Sequence, residues 1–384
     1  MQTTLCGHRL IPLETGSPAF PVPHFLEPAI QSPGAHDEWT EYPPLHGLPQ
    51  LRELIAACHT QWTGEVVSCE QILVTHGAMN ALFTICSTML NPGDEVLIPA
   101  PFWHHFPNIL RYMPVTLKPI NTSKENDYKL TPDELAQHLG PASKMLILTN
   151  PNNPTGAIYT HEELDALSEV AMAHPNLMVL SDEAYNMLAL DSSGLNDVCP
   201  GFRVPPRYAD RMFRVGSVSK NFGLAGLRVG YIVADARVLE RLAQRQRFSA
   251  LGVNPRLQQG AIAVLEHREK VSAQLLARLN NRKDFAEACV SRLIPEMDVF
   301  SPLAGYYFFA DMKKWLNCRT PEGETIKCDA DLAKWLAKEA GICVQASSEC
   351  GLPGFFRLTF ALEPELFEEG ITQMKLHLDR LTRK

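Results

Sequence analysis

Lys220 stands between two serines and ahead of an arginine in the run Gly216-Ser-Val-Ser-Lys-Asn-Phe-Gly-Leu-Ala-Gly-Leu-Arg228. An unprotonated lysine amine is a nucleophile that condenses with aldehydes to a Schiff base. Ser217, Ser219 and Arg228 are donors suited to a phosphate dianion, and the arginine fork can hold two oxygens at once. An aldehyde joined to a phosphate is pyridoxal phosphate. Ser-x-Ser-Lys alone fits many basic surface loops. Gly223, Gly226 and Arg228 at these spacings make a surface loop a poor account of the run.

Other polar residues interrupt apolar runs in a fixed order. Gly77-Ala78-Met79 follows Ile72-Leu-Val-Thr75 and opens a helical pattern, where the amide groups and dipole of a helix N-terminus favour an anion. Asn153 lies in Asn150-Pro-Asn-Asn-Pro-Thr-Gly156, and Asp182 in Ser181-Asp-Glu-Ala-Tyr185 after Asn176–Leu180. Arg357 is a charge inside Phe355-Phe-Arg-Leu-Thr-Phe360, and a buried arginine needs an anionic partner. Each has a plainer account: a tight turn at Gly77, a turn at Asn153, a helix N-cap at Asp182, an internal salt bridge at Arg357. Asn-Pro-Thr-Gly, Asp-x-x-Tyr and Ser-x-Ser-Lys in this order, each after a strand, set the combination apart.

These motifs resemble those of class I/II (fold type I) aminotransferases, from about Leu13 to the C-terminus. The resemblance implies pyridoxal 5'-phosphate held by Lys220, which then serves as general base for the α-proton. It implies Asp182 beside the pyridine nitrogen, keeping the ring protonated and electron-withdrawing. Tyr185 and Asn153 would bond the phenolic oxygen, with Asn153 also in reach of substrate. Ser217, Ser219, Arg228 and the Gly77, Ala78 and Met79 amides would hold the phosphate. Met79 stands where a donor side chain is frequent in the family.

Trp103, in Pro101-Phe-Trp103, resembles the aromatic stacked on the cofactor ring, with Phe102 the competing candidate. Arg357 would clamp the substrate α-carboxylate with the Gly16 backbone beside it. Tyr42, in Glu41-Tyr-Pro-Pro, resembles the tyrosine that crosses to the partner's phosphate in a homodimer.

The implied function is ping-pong transfer of an amino group between an L-amino acid and a 2-keto acid. The same site can serve β/γ-elimination, cyclisation or oxidative deamination. Segments 30–42 and 345–354 depart from the family pattern, and both border the substrate pocket in the family, so donor and acceptor stay open. Arg245, Arg247 and Arg256 lie near the stretch where a second cation for a dicarboxylate is sought. His104 and His105 invite reading as acid/base groups, but they read rather as helix-surface residues. A non-enzymatic regulator on this fold would carry a DNA-binding domain ahead of the motifs; here they begin by Gly16.

Short apolar runs at 72–75, 95–98, 145–149, 176–180, 212–215 and 229–233 alternate with helical patterns at about 48–62, 78–90 and 161–173. Such runs predict an α/β fold with a mostly parallel sheet buried on both faces. Sheets of this kind place ligands at the carboxyl ends of their strands, where the motifs fall. From about 290 the pattern changes to strands at 305–310 and 355–360 with helices at 329–340 and 364–381, a smaller α+β domain. The expected division is a large cofactor-binding domain at 39–289 and a small domain at 290–384, which the N-terminal segment 1–38 joins by resemblance.

The chain has 384 residues, 45% hydrophobic and 20% charged, with a net charge of −8. That balance argues against nucleic-acid partners and against attraction to anionic lipid. No apolar run reaches the roughly 20 residues of a membrane helix, and Met1–Leu13 lacks the pattern of a secretory signal. The 10 cysteines have no Cys-x-x-Cys pair, which predicts reduced thiols in the cytoplasm and no metal site. Cys86 and Cys343 read as small buried hydrophobes.

Overall fold

The computed structural model describes residues 4–5, 8–17, 20–31, 41–195 and 198–383. A seven-stranded sheet forms the centre, in the order Ile72–Thr75, Gly230–Ala234, Met212–Ser217, Met178–Asp182, Ser143–Thr149, Glu95–Ala100, Thr116–Asn121. From Met212–Ser217 to Thr116–Asn121 every pairing is parallel. Every residue of Ile72–Thr75, Met178–Asp182 and Met212–Ser217 is buried, as expected for strands covered on both faces. Pro49–Thr63, Gly77–Met89 and His161–Ala173 appear where the sequence predicts helices, whereas Ala236–Arg247 and Pro255–Glu266, which also cover the sheet, were not foreseen. His161–Ala173 starts at a capping box, with Thr160 Oγ1 accepting from Glu163 N and the Glu163 carboxylate accepting from Thr160 N.

Two strands depart from the sequence reading. Gly230–Ala234 runs antiparallel to both neighbours. The segment from Val218 to Val229 stays at the carboxyl end of the sheet and never makes the crossover that a parallel return requires. Thr116–Asn121 carries no continuous apolar signal because it is an edge strand, mostly open to solvent, and it tolerates Pro119 for the same reason.

A second, antiparallel sheet runs in the order Val299–Phe300, Tyr307–Asp311, Phe355–Thr359, Gln345–Ala346. Tyr306, Phe308, Phe356, Phe360 and Phe367 fill the core beside it. The helix Arg268–Leu293 joins the two cores: Val271 packs with the large-sheet cluster, and Leu275, Leu279, Ala286 and Val290 pack with the second. Ile11–Pro12 pairs parallel with Ile342–Cys343, which carries residues 14–16 over the carboxyl ends of the large sheet. Cys86 is buried as predicted, whereas Cys343 is only half-buried.

Candidate active site

Thr149, Asp182 and Ser217 are the last residues of three adjacent parallel strands. They open on a cavity of about 410 Å³ that Gly16, Ala78, Met79, Trp103, Asn153, Tyr185, Ser219, Lys220, Arg228 and Arg357 also line. Three chain segments far apart in sequence thus meet at the sheet's carboxyl edge.

Lys220 lies in the short helix Val218–Asn221, whose Ser217 cap accepts from Ser219 N at 3.0 Å. Asn221 anchors that turn: its Nδ2 donates to Asn186 Oδ1 at 2.7 Å, and its Oδ1 accepts from Met187 N at 3.2 Å. The Lys220 amine donates to the carbonyl of Gly16, which also accepts from the Tyr306 hydroxyl at 2.8 Å. Burial lowers the amine below its ordinary value; the Arg357 and Arg228 charges add to the lowering, and Tyr307 and Asp182 oppose it.

Asp182 is not the helix cap that its sequence setting allows. It is buried at the end of its strand, with Oδ1 accepting from Ala184 N at 3.2 Å. Desolvation pushes its carboxyl up to about 6, and Lys220 opposes the rise. Nearby, the Tyr185 hydroxyl stands 3.4 Å from that of Tyr307.

At the other end, Gly77 has φ 75°, and a Cβ there would meet Arg228 Nη2 at 2.6 Å. Gly230, which the sequence reading passes over, must also lack a side chain, because a Cβ would lie 2.6 Å from the Gly77 carbonyl carbon. Arg228 takes the left-handed conformation at φ 56° and donates to Ala225 O at 3.0 Å. Ser219 Oγ is buried with no protein partner, a polar group that calls for a ligand. A helix N-terminus, a free hydroxyl and an arginine at one end, a desolvated amine between, and a buried carboxylate at the strand end fit pyridoxal phosphate in charge and chemistry.

Arg357 is 4% exposed. Its Nη1 donates to Asn153 Oδ1 at 3.0 Å, its Nη2 to Glu14 O at 2.8 Å, and its guanidinium lies 4.1 Å from the Tyr307 ring centre. Among the described residues no carboxylate forms an ion pair with it, and its Nε has no partner. An internal salt bridge therefore does not account for the charge, and the buried cation is available to an anionic ligand.

The alternatives at Trp103 separate cleanly. Phe102 is buried against Gly351, while Trp103 lines the cavity with His105 edge-on at 4.8 Å. Tyr42 is 82% exposed and does not line the cavity of its own chain. Arg245, Arg247 and Arg256 do not line it either.

His104 and His105 do not lie on an outer helix surface, as the sequence suggests: both line the cavity. Tyr307, Glu14 and Thr15 join them without having been marked by the sequence, as does Gln345 from the atypical segment 345–354. A hydrophobic run leading into Trp-His-His was the available signal for the histidines. Of the two unusual segments, 32–40 lie outside the described residues. Segment 345–354 forms the edge strand Gln345–Ala346 and a turn, Ser347–Cys350. Ser347 Oγ holds that turn by donating to Leu352 O at 2.6 Å and accepting from Phe355 N at 2.9 Å.

Residues 8–373 match the family described as aminotransferase class I and II. A probable aspartate/prephenate aminotransferase of Rickettsia bellii is 30% identical over 96% of this chain and 91% of its own length. An aspartate aminotransferase of Streptomyces avermitilis is 27% identical over 96% and 89%. Among solved structures, the aspartate aminotransferase of Rhizobium meliloti superposes with a TM-score of 0.87 at 26% identity, covering 97% of this chain and 92% of that one. The Thermus thermophilus aspartate aminotransferase with maleate gives 0.83 at 25% identity, covering 96% and 91%. With Lys220, Arg228, Arg357 and the buried Asp182 in one cavity, this chain belongs to the class I and II aminotransferases and is a pyridoxal-phosphate-dependent aminotransferase.

Proposed function

We propose that the cavity at the carboxyl edge of the large sheet is the transamination site, with Lys220 holding the cofactor and then moving the substrate α-proton. The observation that carries this is the Lys220 amine facing the same cavity as Arg357 and Asp182. When bound, pyridoxal phosphate supplies a sink for the electrons left on the substrate α-carbon.

The chain's own residues do the rest. A desolvated lysine beside two arginines is unprotonated more often than an ordinary lysine, as a nucleophile and a base require. Asp182, buried without a cation in direct contact, gains one when it meets a protonated ring nitrogen, and Ala184 N keeps the carboxylate oriented. Asn153 and Tyr185 bond the phenolic oxygen, and Trp103 packs on the ring. Ser217, Ser219, Arg228 and the amides of Gly77, Ala78 and Met79 take the phosphate. Arg357 clamps the α-carboxylate, with Asn153 and the Glu14 carbonyl fixing the fork's direction and the Gly16 backbone beside it.

Further parts of the reading concern the assembly and its setting. The exposed Tyr42 reaches the phosphate site of a second copy, making the working unit a homodimer; its absence from its own cavity supports this. The segment 1–38 belongs with the small domain 290–384, and 39–289 form the large one, a division supported by the Ile11–Pro12 pairing with Ile342–Cys343. The enzyme works in the cytoplasm, supported by nine described cysteines that are all free. Among the described residues no helix is long and apolar enough to cross a membrane.

The substrates are amino acids and 2-keto acids, and the relatives named for aspartate and prephenate supply the first donor and acceptor to try. The test is borohydride reduction of the holoenzyme followed by peptide mass analysis, with keto acid measured per site. The cofactor's mass on the Lys220 peptide, one keto acid per site, and reversal by an added keto acid support the reading. A label on another lysine refutes it. Ammonia released over many turnovers would point to elimination or oxidation instead.

A further inference from the structure

The reaction leaves part of the cavity wall unassigned. The described residues that line it include three cations, Lys220, Arg228 and Arg357, and the proposed chemistry occupies all three. Beside Arg357 the wall continues through His104, His105 and Gln345. Gln345 is the register partner of Arg357 on the neighbouring strand, so its side chain stands next to the guanidinium. The two imidazole rings lie 4.0 Å apart, tilted 45° to each other. His104 Nδ1 is buried with no hydrogen-bond partner.

Two imidazoles this close to each other and to a buried guanidinium repel a proton. Burial, then His105, then Arg357 lower His104 to about 4, and burial also lowers His105, against a small opposing pull from Glu349. At neutral pH the pair is uncharged, with one donor and one acceptor nitrogen on each ring. The wall is held from behind: Phe102 N donates to Cys350 O at 3.0 Å, and Gln345 Nε2 donates to Glu349 Oε2 at 2.6 Å.

We propose that His104, His105 and Gln345 form the subsite for the substrate side chain, and that it selects an uncharged side chain bearing a hydrogen-bonding group over a second carboxylate. The uncharged imidazoles of His104 and His105 and the Gln345 amide offer such a side chain both donors and acceptors. A distal carboxylate would instead be desolvated with no further cation among the described lining residues to receive it. This assignment rests on the transamination reading above, and it departs from the relatives named for aspartate.

The experiment compares kcat/KM of the holoenzyme's amino-donor half-reaction for alanine, glutamine, histidine, aspartate and glutamate. Glutamine or histidine should exceed aspartate and glutamate by about tenfold or more, the worth of roughly one buried hydrogen bond. His104→Leu and Gln345→Leu should each lose about tenfold on the favoured donor while leaving alanine unchanged, because the alanine methyl does not reach the subsite. Alanine turnover also shows that the variants fold and bind cofactor. A preference for aspartate or glutamate in the parent overturns the proposal and moves the distal cation to the partner subunit. Equal losses on alanine and on the favoured donor overturn it as well. If no amino acid, alanine included, is converted by the parent, it is the transamination reading that fails.

Discussion

Asp182→Asn should make the cofactor-free chain more stable and the enzyme worse. Asp182 is 5% exposed, and burial lifts its carboxyl from an ordinary 3.8 to about 6. The folded chain therefore keeps the proton up to about pH 6, whereas the unfolded chain releases it above 3.8. Stability falls as pH rises through that window and stays lowered above it. A shift of about 2 units corresponds to about 3 kcal/mol at pH 8 and about half of that at pH 5. Asparagine does not ionise and can still accept from Ala184 N through Oδ1, so the bond at 3.2 Å survives. Urea unfolding of the cofactor-free protein at fixed concentration should show the variant ahead by about 3 kcal/mol at pH 8 and by about half as much at pH 5. In the holoenzyme, the loss of a charge-assisted bond to the ring nitrogen should lower kcat by at least about tenfold. A variant no more stable than the parent at pH 8 would refute the burial argument. A fully active variant would refute the placement of Asp182 at the ring.

Arg357→Lys should lower kcat/KM for every amino acid by about 10- to 100-fold, because an ammonium cannot reproduce the fork held between Asn153 and Glu14; steady-state kinetics on alanine checks it. Gly77→Ala puts a Cβ 2.6 Å from Arg228 Nη2 at a φ of 75°. Left-handed strain of about 1–2 kcal/mol should weaken cofactor binding about tenfold, read by fluorescence titration of the cofactor-free protein.

The sheet was legible because its central strands are continuous apolar runs of the length that burial on both faces demands, as in Met178–Asp182. Its edge was not: Thr116–Asn121 alternates polar and apolar residues around a proline and carries no such run. Chain direction was likewise hidden at Gly230–Ala234, since an apolar strand looks the same whichever way it runs. Asp182 and Arg357 stood out because a charge at or inside an apolar strand demands a reason, and Lys220 because Ser217, Ser219 and Arg228 surround it at fixed spacings. The structure gathers all three in one cavity, together with Asn153, Trp103 and Gly16, whereas Tyr42 lies outside it.

His104 and His105 gave no signal of that strength, and Gln345 showed only as the start of the atypical segment 345–354; the difference has a physical origin. Asp182 and Ser217 end buried apolar strands, and such runs are legible within a few residues of the group they present. The wall beside Arg357 is set instead by contacts between distant segments. Phe102 N bonds Cys350 O, Gly351 leaves no room for a Cβ beside the Phe102 ring, and Gln345 pairs in register with Arg357. Glu14 and Gly16 are brought in by the pairing of Ile11–Pro12 with Ile342–Cys343 and by bonds from Arg357, Lys220 and Tyr306 to their carbonyls. No local pattern announces any of these pairings. A change at Gly351 would therefore move Trp103 and the two histidines without touching Lys220, shifting which amino acid is taken while the chemistry at its α-carbon persists.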